Sequence, residues 1–132
     1  GYFTEVLKVT DEHGRVAYDY AFVLVVHDKY PGRNYTFLRA SYWPSLDVKA
    51  GSPVTFKARA LRDNFGPGKE TWDFGDGSPP EQTSSNPVGE NTPNSYATIK
   101  HTYARPGDYI VRVERINQYH EPSIVQLVVP VK

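Results

Sequence analysis

Two short segments constrain this chain more than any other feature: Trp72-Asp73-Phe74-Gly75-Asp76-Gly77 and, downstream, the run from Ile99 to Tyr109. Each reads as a strand leading into a tight turn. Trp72 and Phe74 flank a polar residue, the period-two spacing of a strand with one buried face, and Asp76-Gly77 is a dipeptide that accepts the positive φ of a hairpin turn. In the second segment proline presets φ at the second position of a type II turn and glycine takes the positive φ at the third. Pro106-Gly107 therefore reverses the chain ahead of a strand carrying Tyr109 to Val113.

With their neighbours, these residues resemble the polycystic kidney disease (PKD) domain family, an immunoglobulin-like β-sandwich found in extracellular proteins. The resemblance begins near Pro44, takes in AGSPVTFKARA (Ala50 to Ala60) as an early strand, and continues through WDFGDGS and HTYARPGDYIVRV. The stretch between Ser78 and Ala97 is longer than the family pattern has there. The resemblance implies a sandwich in an extracellular or cell-surface setting, without catalysis of its own. It also implies a second role, because such domains accompany secreted enzymes that degrade polysaccharides or proteins.

Composition agrees with a folded β domain and excludes several other classes. At 132 residues the chain suffices for one good core or for one domain plus a fragment, and two full domains would be a tight fit. The 15 basic and 15 acidic residues cancel, which argues against a polyanion partner such as nucleic acid. With no cysteine, neither a disulfide framework nor a thiolate zinc site can form, and packing alone must hold the sandwich. The longest apolar run, Ala21 to Val26, is far short of the roughly 20 residues of a membrane-spanning helix. Methionine is absent even at position 1, so a processed chain or a piece of a larger one is expected.

The chain also carries an internal repeat. Placing Gly1 on Gly107 aligns the first 26 residues with the last 26 without a gap, so Phe3 falls on Tyr109, Leu7 on Val113, Val9 on Arg115, and Ala21, Val23 and Val25 on Leu127, Val129 and Val131. The N-terminal copy, with Asp11 and Gly14 at its turn, thus resembles the closing hairpin of a PKD unit. The expected organisation is a hairpin over 1–26 from a preceding repeat-like unit, a connector over 27–38 containing Pro31-Gly32, and an immunoglobulin-like, all-β sandwich over 39–132. Within the sandwich, strands are predicted near 39–43, 45–49, 53–61, 69–75, 96–103, 108–116 and 123–131. The polar stretch 78–97 is expected to be an exposed loop.

A two-stranded hairpin is marginally stable alone in water, and this one carries Phe3, Leu7, Val9, Ala21, Val23 and Val25. Those six residues are the expected assembly contact. They could dock on the downstream domain, within a tandem array, or against copies of the same chain, and a head-to-tail relation between copies would build a filament. Tyr35, Tyr42 and Trp43 are the candidate ligand-facing aromatics, since exposed rings can stack on sugars; Phe37 and Trp43 are alternatively expected to pack at the junction between hairpin and sandwich.

Chemistry-bearing residues are sparse. Asp73 and Asp76, with Asp63 or Asn64, could form an oxygen site for calcium, but turn-setting by Asp76 and amide capture by Asp73 is the preferred reading, and no other cofactor is expected. The histidines, His13, His27, His101 and His120, lack metal-ligand spacing. The resemblance makes His101 a structural strand residue, and no nucleophile elbow or phosphate loop is present, so no enzyme is expected. Asn34-Tyr35-Thr36 is a glycosylation sequon. The function expected is a structural or adhesive module making protein contacts in an array or surface filament, with a carbohydrate-binding accessory module as the alternative.

Overall fold

The computed structural model describes residues 1–30, 35–62, 68–86 and 95–132. Asn34 of the sequon, and Asp63 and Asn64 of the calcium expectation, lie outside the described residues. Nine strands and no helix are found among those described: β1 (Tyr2–Thr10), β2 (Val16–Leu24), β3 (Phe37–Trp43), β4 (Pro53–Leu61), β5 (Gly68–Asp73), β6 (Glu81–Ser85), β7 (Ala97–Thr102), β8 (Gly107–Ile116) and β9 (Pro122–Val131).

They form two sheets, one ordered β2-β1-β9-β8-β5-β6 and the other β3-β4-β7. The core lies between them and follows from strand alternation. Val54, Phe56, Ala58 and Ala60 on β4 point inward and are sealed, and they meet Trp72, Phe74, Val111, Val113 and Val129 from the opposite sheet. Phe56 packs on both Trp72 and Phe74, with ring centroids 6.2 and 5.3 Å apart. Gly75 shows why the first turn needs glycine: its φ is 75°, and a Cβ there would lie 2.5 Å from the Ile110 carbonyl oxygen.

Three expectations are corrected. The first strand of the sandwich starts at Phe37, ahead of the predicted 39–43, because Leu38 is a buried core residue on β3 and Phe37 already pairs with Leu61. The span 45–49 is not a strand; only Val48 forms an isolated parallel bridge, to Val131. The stretch 78–97 is not wholly loop, since β6 pairs with β5 and Ser85 is buried. Its polarity misleads because β6 buries polar side chains against polar partners. Thr83 Oγ1 accepts from Trp72 Nε1 at 2.8 Å, and Ser85 Oγ donates to the Glu70 carboxylate.

Glu70 and Arg115 are both buried and paired, and Arg115 Nη1 also donates to Ser85 Oγ at 3.0 Å. Gly68 makes room for this pair, since a Cβ on it would lie 2.3 Å from the guanidinium carbon of Arg115. Such a network satisfies a charge that could not otherwise remain in a dry core.

Candidate interaction surface

The N-terminal hairpin is a structural copy of β8–β9. Tyr2 pairs with Leu24 as Asp108 pairs with Pro130, and Thr10 with Val16 as Ile116 with Pro122, so the register is the same throughout. The turns match bond for bond. Asp11 N–H donates to the Arg15 carbonyl at 3.0 Å, as Asn117 N–H does to Glu121 at 3.1 Å, and the Gly14 and His120 amides close the same inner turn onto Asp11 and Asn117. Oδ1 of Asp11 accepts from His13 and Arg15 N–H, and Oδ1 of Asn117 from Tyr119 and Glu121 N–H. Gly14 and His120 both have positive φ, 76° and 60°.

The two copies differ in what covers them. In β8–β9 the face carrying Val111, Val113, Arg115, Val125, Val129 and Val131 is core. The corresponding face of β1–β2 carries Glu5, Leu7, Val9, Asp19, Val23 and Val25, all exposed; Leu7 is 60% and Val25 56% accessible. Phe3, on that same face, is half-buried. The six residues expected to make an assembly contact therefore share one face, of which five are exposed.

The hairpin does dock on its own sandwich, but with its other face and at its root. β1 lies parallel to β9 through the single ladder pair Phe3–Ile124. Phe37 packs edge-on against Tyr2 and Phe22, with centroids 5.0 and 6.3 Å away, and Thr4 is buried. Tyr18 donates its hydroxyl to Asp108 at 2.8 Å; desolvation and this carboxylate push the phenol up to about 12. A groove of about 400 Å³ remains between hairpin and sandwich, lined by Tyr20, Phe22, Leu38, Arg39 and Leu127 among others.

The aromatic expectation is corrected. Tyr35 is buried, with its hydroxyl accepting from His27 N–H at 2.5 Å, and it offers no ring to a ligand. Tyr42 turns inward, 6.0 Å from Phe56, and burial raises its pKa. Trp43, its neighbour in the strand, necessarily points the opposite way and is 72% exposed, so it does not pack at the hairpin junction. Phe37 does.

Asp73 and Asp76 are engaged as turn residues. Asp73 Oδ1 accepts from Gly75 N–H at 2.9 Å; Asp76 Oδ1 accepts from Ser78 N–H and Oγ–H, and Asp76 Oδ2 meets His101 Nε2 at 2.8 Å. Partial burial works to raise the Asp76 pKa, but the Ser78 hydrogen bonds and His101 outweigh it and hold the carboxyl below its ordinary value. The His101 ring stacks on Phe74 at 4.0 Å. Among the described residues no three histidine, aspartate or glutamate side chains converge in a way that could hold a metal. The buried Glu70–Arg115 pair went unnoticed in the sequence, because charges at strand-interior positions read as solvent-facing.

A model of the PKD domain matches residues 39–123. Among solved structures the chain is similar to the PKD domain of an M14-like peptidase from a Thermoplasmatales archaeon, with 18% identity and a TM-score of 0.52, covering 72% of this chain and 92% of that one. That likeness concerns the fold. No curated protein matches the chain.

Proposed function

The chain belongs to the PKD domain family, and from that premise we propose that it is a non-catalytic, extracellular or cell-surface structural module whose N-terminal hairpin makes a protein contact with another β-sandwich unit. One observation carries this reading: the Leu7, Val9, Val23 and Val25 side chains form an exposed apolar face on a strand pair whose twin, β8–β9, buries the same face. Apolar side chains exposed together on one strand face, here interrupted by Glu5 and Asp19, mark an interaction site. Sheet packing against it would order successive units along an array or filament. The glycan reading draws less support, since Trp43 alone of the three candidate rings stands exposed.

Binding of an environment-sensitive apolar dye tests the reading. The chain should bind dye, and Leu7→Ser with Val23→Ser should lower the signal at least about threefold while leaving the urea midpoint nearly unchanged, as expected of exposed positions. Absent dye binding, or a large loss of stability in the double variant, would mean that the face is already covered within the chain and would refute the proposal.

A further inference from the structure

The hairpin's missing partner can be read from its twin. In β8–β9, β8 is flanked on its outer edge by β5, paired through Arg112 to Arg115, and its inner face is roofed by β4 and the rest of the second sheet. The residues of β1 equivalent to that edge are Val6 to Val9. Among the described residues they have no strand partner on the side away from β2, because the β1–β9 ladder holds only at Phe3. An open strand edge along Val6–Val9 therefore coincides with a bare core-type face at Leu7 and Val9.

We propose that β1–β2 is the closing hairpin of a second PKD-type sandwich, completed by a strand set equivalent to β3–β7 that is joined to β1 as residues 103–106 join β7 to β8. This rests on the reading of the hairpin as a contact surface. A β5-like strand adds antiparallel along Val6–Val9, and the opposing sheet covers Leu7, Val9, Val23 and Val25. The Phe3–Ile124 pair uses a different stretch of the β1 edge and can persist, which would fix one unit against the next. Glu5 and Asp19 stand where β8–β9 has Val111 and Val125, so the completing strand set must present cationic side chains to them. The buried Glu70–Arg115 pair is the precedent for such a contact. A second copy of this chain is a poor occupant because its β5 is already paired on both edges, to β6 and to β8.

The test fuses residues 35–106 ahead of Gly1 and follows amide hydrogen exchange in the hairpin. This chain's own strands are apolar opposite the acidic positions and bring Glu70 opposite Val9, the twin of Arg115, so the fusion carries Glu5→Val, Asp19→Val and Val9→Arg. A control with 107–132 in place of 1–26 establishes that the added strands fold upstream. The amides of Val6 to Lys8 should exchange at least about a hundredfold more slowly in the fusion than in the unfused chain with the same three substitutions. Equal exchange rates alongside a folded control would overturn the inference while leaving the dye result, and with it the contact reading, intact. Dimers or filaments of the unfused chain in light scattering, abolished by Leu7→Ser, would overturn it in favour of a second copy. Protection by added polysaccharide would overturn both.

Discussion

Glu70 and Arg115 are the pair on which the interior of this sandwich depends. Each is 1% exposed, and they share Ser85 as a third member. Removing one charge strands the other in a dry environment, and that loss exceeds what the intact pair contributes over an apolar replacement. Glu70→Ala should therefore lower the unfolding free energy by about 3–5 kcal/mol, whereas Glu70→Leu combined with Arg115→Met should recover most of it. Urea denaturation of the three proteins checks this, and additive losses in the double variant would show that the pair acts independently of its charges. Sequence alone did not disclose the contact. Arg115 is the penultimate residue of β8, where a cation is usually solvated, and its partner lies 45 positions away on a strand whose glycine makes the room.

At the level of strands and turns, Asp76 ties the β5 turn to β7 through His101. Its carboxyl titrates below the ordinary value, so the folded state favours the ionised form. The stabilisation is complete above the unfolded carboxylate pKa of about 3.9 and is lost as pH falls through the lower folded value. Asp76→Asn should accordingly be less stable than the parent at pH 7, with the gap closing below about pH 4. Urea midpoints across pH 2 to 7 report it, and a gap that stays constant would place the effect in packing instead of charge. Strands whose alternation is apolar against polar were readable: β4 has its predicted bounds, and β8 and β9 fall within a residue of theirs. β6 was not readable, because Glu-Gln-Thr-Ser-Ser has no apolar face and its strand status comes from hydroxyls that serve Trp72 and Glu70. The faces of the hairpin were also ambiguous. β2 alternates Val16, Tyr18, Tyr20, Phe22 and Leu24 with Ala17, Ala21 and Val23, and both sets are apolar enough to dock.

For the molecule as a whole, the hairpin contributes little to the sandwich it leans on. Its contacts include the Phe3–Ile124 ladder pair, Thr4, the two ring pairs with Phe37, and the hydrogen bonds from Tyr18 to Asp108 and from Arg62 to Tyr2. A chain of residues 27–132 should fold in one cooperative transition and lose only about 1–3 kcal/mol, the worth of two aromatic pairs and some apolar area. Failure of that shortened chain to fold would make the hairpin part of the core. The repeat itself was fully legible, down to the turn, because Asp11 and Gly14 stand at fixed distance from the strands they join; what covers the copy was not, since that depends on residues the copy does not contain. At the opposite end of β9, Val131 bridges Val48 in parallel, Lys132 N–H donates to the Val48 carbonyl at 2.8 Å, and Ala50 N–H donates to the Lys132 carbonyl at 2.9 Å. These bonds run crosswise to the strand, so a pull on the carboxyl end loads them in shear and they must break together, making this short clamp a bearing against mechanical tension.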